Sequence, residues 1–215
     1  ELEWVVVARA IEKEAIARQQ VSITRFDTDP LPTTLFIYGS GTEAGADAGN
    51  AAPMRSLPDA EGQPTGVFEV YTTLTADGTY HFRDMANNQS RLYGCAEGSL
   101  EGCGPAITAP ETGQYRITVD LINNTYDLLH IDRWSLVGDA VEGGWGGDVP
   151  LTYIGNSMWQ ADIEFFQPYE TAGFIFRANG VWAYLLKRIQ GTATPDNKGG
   201  SLIMESEGNA IGVAF

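Results

Sequence analysis

The chain is predicted to fold as an all-β protein, built from tandem β-sandwich domains. Three observations carry this. Short stretches of alternating apolar and polar residues recur along the chain, as in Val67-Phe68-Glu69-Val70-Tyr71-Thr72-Thr73-Leu74, which is the period of a half-buried strand. Gly, Pro and Asn clusters separate them at turn-like intervals. An internal repeat links residues 34–132 to residues 133–215. At 215 residues and 43% hydrophobic, the chain is long enough for one large β domain or two small ones.

Taken in order, residues 1–26 read as a hairpin. Its strands are Glu3-Trp4-Val5-Val6-Val7-Ala8-Arg9-Ala10-Ile11 and Gln20-Val21-Ser22-Ile23-Thr24-Arg25-Phe26, with a long connection between. A lone hairpin is marginal in water, so residues 1–32 are expected to be the end of a preceding immunoglobulin-like domain. Asp29-Pro30 and Leu31-Pro32 interrupt regular structure and form the linker. The first sandwich is expected over residues 33–132 and the second over residues 133–215.

The repeat is visible residue by residue. Phe36-Ile37-Tyr38-Gly39-Ser40 matches Ser135-Leu136-Val137-Gly138-Asp139, and Glu43 matches Glu142. Gly78-Thr79-Tyr80-His81-Phe82-Arg83-Asp84 matches Gly173-Phe174-Ile175-Phe176-Arg177-Ala178-Asn179. The strand at residues 67–74 matches a predicted strand over residues 158–165. The first copy closes with a hairpin, residues 113–121 and 126–131, turned at Asn123-Asn124, because Asn tolerates positive φ. The second copy has no such hairpin, which predicts an uncovered apolar face unless further residues or a partner cover it.

Composition narrows the function. The net charge is −15, from 28 acidic and 13 basic residues. Nucleic acid is therefore excluded as a partner, since phosphate binding needs clustered Lys and Arg. No apolar run reaches the length of a spanning helix. Cys95 and Cys103 bracket a Gly-rich loop, and in an exported protein they are expected to form a disulfide. His81 and His130 lack ligand spacing for zinc. Asp27-Thr28-Asp29 and the loop at residues 47–50 lack the ligand count of a calcium loop, so no metal or cofactor is expected. No carboxylate pair sits in a motif, no nucleophile–base arrangement is apparent, and no Gly-rich loop opens a helix. An enzyme is not expected.

Four of the five Trp lie between Trp134 and Trp182. The run Leu136-Val137-Gly138-Asp139-Ala140, followed by Gly144-Trp145 and Phe176-Arg177, resembles the SusE/SusF family of outer-membrane starch-binding lipoproteins. The closing hairpin with Gly113-Gln114-Tyr115 and Tyr126 is similar to that family as well. The resemblance covers roughly residues 34 to 215. It implies a non-catalytic glycan-binding protein, exported and lipid-anchored at the cell surface of an outer membrane. It would capture starch or another polysaccharide for an importer complex. The lipid anchor is not part of this sequence.

On the matching positions, the resemblance implies aromatic platforms at Trp182 and Tyr184, with Trp145 a further platform. Arg177, Asn179 and Lys187 become the hydroxyl partners. Sugar recognition pairs a flat aromatic with a few fixed donors and acceptors. Each residue also has a plain structural reading. Trp134 and Trp159 are expected in the core on strand alternation, Arg177 pairs equally well with an acid, and Lys187 suits a solvated strand face. The first copy offers a poorer set, Arg83, Asp84, Arg91 and Tyr93, which is a second, weaker site or a spacer. The other class of function is a structural or adhesion module binding protein through one contiguous aromatic patch.

Overall fold

The computed structural model describes residues 2–10, 13–21, 31–59, 61–84, 91–96, 99–165, 173–188 and 202–205. The chain divides into two compact units, Glu1–Leu31 and Pro32–Phe215. In the first, strand β1 (Leu2–Ala10) pairs antiparallel with β2 (Lys13–Val21), from Leu2 opposite Val21 to Ala10 opposite Lys13. The expected hairpin forms, but its second strand starts seven residues earlier than predicted. Residues 13–19, read as connection from propensity, pair along the ladder, with Ile16 opposite Val7 and Glu14 opposite Arg9 in register. Residues 22–30, including the Asp27-Thr28-Asp29 segment, lie outside the described residues.

The second unit is all-β. The first nine of its strands form one antiparallel sheet. They are β3 (Leu35–Tyr38), β4 (Ala52–Pro58), β5 (Pro64–Leu74), β6 (Thr79–Arg83), β7 (Leu92–Ala96), β8 (Ser99–Gly102), β9 (Ile107–Thr108), β10 (Gly113–Asp120) and β11 (Thr125–Ile131). The order is β11-β10-β5-β4-β3-β6-β7-β8, with β9 beside β6. The sheet curls until its ends meet. The Leu100 amide on β8 donates to the Asn124 carbonyl in the β10–β11 turn at 2.9 Å. Its inner face therefore packs against itself, as the two layers of a sandwich do. Leu35, Ile37, Phe68, Leu74, Tyr80, Phe82, Ile117 and Val119 fill this core. The turn holds Asn124 at φ 54, as the Asn-Asn signal predicted.

The remaining strands are β12 (Trp134–Val137), β13 (Val149–Pro150), β14 (Thr152–Gly155), β15 (Met158–Gln160), β16 (Ile175–Ala178), β17 (Leu185–Arg188) and β18 (Leu202–Glu205). Five form a sheet in the order β13-β12-β16-β17-β18, while β14 and β15 make a separate hairpin. The strand predicted over residues 158–165 stops at Gln160. Trp134, Ala178, Phe176 and Leu186 on this sheet cluster with Ile131, Leu129 and Tyr71 from the outer face of the nine-stranded sheet. The opposite face carries Ser135, Val137, Ile175, Leu185 and Lys187, all buried; the uncovered face expected there is not observed at these positions.

The repeat is structural at its centre. After β3, the Gly39 amide donates to Gly45 O, Thr42 N to Gly39 O, and Gly45 N to Thr42 O. After β12, Gly138 N donates to Gly144 O, Val141 N to Gly138 O, and Gly144 N to Val141 O. Both lead glycines take positive φ, 149° and 150°. Each lies hard against the backbone of its partner chain segment, Thr79–Tyr80 or Gly173–Phe174, where a Cβ has no room. The cross-strand register differs by one residue from the match made on Gly78 and Gly173. Ile37 faces Phe82 and Leu136 faces Phe176, so Arg83 corresponds to Arg177.

Candidate functional site

The loop joining β16 to β17 presents the best-exposed aromatic platform predicted from the sequence. Asn179 and Gly180 both take positive φ, 55° and 68°, which reverses the chain. The Ala178 amide then donates to Tyr184 O at 2.9 Å and closes the loop. Trp182 emerges 49% exposed and Tyr184 37% exposed. The Trp182 ring lies over the Arg177 guanidinium, 4.4 Å from ring centroid to Cζ. Arg177 is buried, and its Nε and Nη2 donate to Asp148 Oδ1 at 3.1 and 2.8 Å. The indole is thus held on one face by a cation that is itself fixed by an acid, a contact of about 1 kcal/mol when partly desolvated. About half of the Trp182 surface remains exposed, 49%.

Trp145 sits in a 3-10 turn, Gly144–Gly146, and is 41% exposed. The turn adjoins Gly147, whose carbonyl accepts from Arg177 Nη2 at 3.5 Å. Arg177 therefore ties the Trp145 loop to the Trp182 loop. Arg83 does the same structural work in the first copy, donating from Nη1 to Ala48 O at 3.2 Å.

Three predicted hydroxyl partners require correction. Arg177 is engaged by Asp148, Gly147 and the Trp182 ring, which holds its guanidinium within the chain. Asn179 uses its whole amide as a clamp. Its Oδ1 accepts from the Asp132 and Arg133 amides at 2.8 and 3.4 Å, and its Nδ2 donates to His130 O at 2.8 Å. It fixes the two-residue link between the sheets. Lys187 is 1% exposed, on the buried face beside Leu185. The polar groups that do lie near the platform are Asp148, 30% exposed, and Arg133, whose guanidinium presses against Gly180. Neither was singled out from the sequence, because an acid after a glycine run and an Arg in a linker carry no periodic signal.

Within the second, weaker set, the Asp84 amide donates to Arg91 O at 2.9 Å. Tyr93 pairs with Phe82 and packs on the inner core, while the adjacent Arg83 points to the outer face. Asp84 is buried, and Arg91 is exposed. The expected disulfide is also absent, since Cys95 and Cys103 are both free thiols. The β7–β8 register explains this: Cys95 lies opposite Leu100, and the Cys103 amide donates to Leu92 O. Three residues of ladder, about 10 Å, separate the two positions, beyond the reach of a disulfide.

A second feature was not predicted. Between the nine-stranded sheet and the five-stranded sheet lies a cavity of about 630 Å³. Its apolar wall includes Trp134, Trp159, Phe176, Leu186 and Leu202, and its polar wall Arg55, Glu69, Tyr71 and Gln114. Glu69 is 2% exposed. Arg55 donates to one of its oxygens, and Arg116 Nε donates to the other at 2.9 Å. At the rim, Glu43 accepts from the hydroxyls of Thr73, Tyr153 (2.8 Å) and Ser157 (3.2 Å), which pins the β14–β15 hairpin onto the large sheet. Trp134 is core as expected. Trp159 is half-buried and lines the cavity. No protein-family model matches the chain, and no curated protein matches it.

Proposed function

We propose that this chain is a non-catalytic glycan-binding protein that captures a polysaccharide on the Trp182 platform. The observation that carries the reading is the half-exposed indole held against the buried Arg177 guanidinium. A ring fixed in this way loses little side-chain freedom when a sugar stacks on it, which lowers the ordering cost of binding. Asp148 and Arg133 supply an acceptor and donors for sugar hydroxyls at the edge of the platform. Tyr184 and Trp145 extend the apolar contact. Starch or another α-glucan is the first ligand to test, and capture at an outer-membrane surface through a lipid anchor, beside an importer, is the cellular role that belongs to this reading.

Affinity electrophoresis tests it. The native chain and a Trp182→Ala variant are run in gels holding starch and, separately, other polysaccharides. The reading expects retardation of the native chain in at least one gel and its loss in the variant. A chain that runs freely in every gel refutes glycan binding, and an unaffected variant refutes the platform.

A further inference from the structure

We propose that the cavity between the two sheets is a binding site for a small carboxylate with an apolar body, separate from the Trp182 surface. Its volume of about 630 Å³ falls in the usual range for small-molecule pockets. One wall is aromatic and aliphatic, led by Trp159, Trp134 and Phe176, and suits a ring or a short chain. The opposite wall carries one cation, Arg55, and one anion, Glu69, and Arg116 reaches Glu69 from outside the lining. Arg55 and Arg116 share the single carboxylate of Glu69, which leaves one positive charge in excess among the described residues. That excess stands out in a chain of net charge −15. Arg55 is 38% exposed and also donates to Leu202 O, and an incoming carboxylate balances the excess charge through charge-assisted hydrogen bonds.

The hydrogen-bond inventory points the same way. Both oxygens of Glu69 are held by its arginines, so the wall offers donors and few acceptors. The Tyr71 hydroxyl is buried beside Arg116, and its own proton finds no acceptor among the described residues. Burial holds the phenol well above its ordinary pKa, so it remains a neutral donor, with Arg116 close by. Such an orphan donor asks for an acceptor. The other acid at the cavity edge does not cancel the charge. Glu43 is bound to Thr73, four residues along β5 from Glu69 and so about 13 Å away.

The test uses 4-phenylbutyrate and its neutral analogue 4-phenylbutan-1-ol, titrated into the full chain by calorimetry. Tryptophan fluorescence, reporting Trp134 and Trp159, is read in parallel. The acid is expected to bind at least about tenfold more tightly than the alcohol, the usual advantage of a hydrogen bond to a charged group. Tyr71→Phe, which keeps the ring and the packing, is expected to weaken the acid by about fivefold and leave the alcohol unchanged. Arg116→Gln is expected to erase the preference for the acid. Equal affinity for acid and alcohol overturns the charge argument, and no heat or fluorescence change with either overturns the site. Should Arg116→Gln unfold, the Tyr71→Phe result decides.

Discussion

Replacing Gly138 by Ala tests the repeated turn at its tightest point. A Cβ there stands 2.7 Å from Phe174 Cα and 3.0 Å from the Gly173 carbonyl carbon, and nearer still to the Gly173 oxygen. Apolar carbons in contact lie roughly 3.5–4.0 Å apart, so the two segments must separate by about 1 Å. That movement breaks the Ala140 N to Gly173 O hydrogen bond, now 3.2 Å, and opens the Val137–Ile175 pair, both buried. One lost backbone hydrogen bond costs about 1 kcal/mol. Positive φ on a residue with a Cβ adds about 1–2 kcal/mol. Loosened packing adds a further 1–2 kcal/mol or so. The total is about 3–5 kcal/mol. Urea unfolding followed by tryptophan fluorescence measures it, and an m-value near 2 kcal/mol/M converts it to a midpoint lowered by about 1.5–2.5 M. Gly39→Ala meets the same collision, with Thr79 and Tyr80, and is expected to lose a similar amount. Gly144→Ala is the control, because its φ is 60° but a Cβ meets nothing within 4 Å; about 1–2 kcal/mol is expected from strain alone. Gly138→Ala no worse than Gly144→Ala refutes the close-approach argument.

Other substitutions separate the remaining roles. Glu69→Gln keeps the shape but leaves Arg55 and Arg116 without their anion. Because Arg55 is 38% exposed and partly solvated, the loss is expected near 2–3 kcal/mol and not the full value of a buried pair, read from the urea midpoint. Titration with a thiol reagent in urea without reductant is expected to find two thiols, Cys95 and Cys103, and reductant is expected to leave the unfolding midpoint unchanged. Asp120 accepts from the backbone amides of Asn123 and Ile122, and these bonds hold its carboxyl below the ordinary carboxylate range. Its folded-state pKa is the lower one, so its contribution is present at neutral pH and fades below about pH 4. Asp120→Asn is therefore expected to flatten part of the decline in urea midpoint between pH 5 and pH 3.

The sequence carries the strands well where alternation is regular. β5, β10 and β11 follow from period-two patterning and from Asn123-Asn124, since each strand has one face on a core and one outside. The repeat is readable because two glycines are locked by backbone contact, which admits no other residue. The observed register differs by one position from the match on Gly78 and Gly173, because Phe82 and Phe176 are the equivalent paired residues. Side-chain partners are harder to see. Arg177 and Asp148 are 29 residues apart, and nothing local marks them as a pair. Lys187 alternates correctly, but alternation does not say which face is the wet one. The cavity was invisible for the same reason. Its polar wall joins β4, β5 and β10, and its apolar wall comes from the five-stranded sheet and the β14–β15 hairpin.

Arg177 and Arg83 show how one repeated position yields two outcomes. Each sits one residue past a core Phe and donates to the carbonyl at the equivalent place in the following loop, Gly147 or Ala48. That shared bond organises the loop in both copies. In the second copy the loop supplies Asp148, and Trp182 folds over the guanidinium. Among the described residues the first copy shows neither: Gly49 stands where Asp148 stands, and the Asp47 side chain turns back to accept from the Gly49 amide at 2.8 Å. The arginine is a structural fixture in both copies, and a platform is added to it only in the second. This asymmetry predicts where engineered binding is feasible. Placing an acid at position 49 supplies the partner that Arg83 lacks there, but without an aromatic on the far side of the guanidinium it yields a stiffer loop and no new ligand surface.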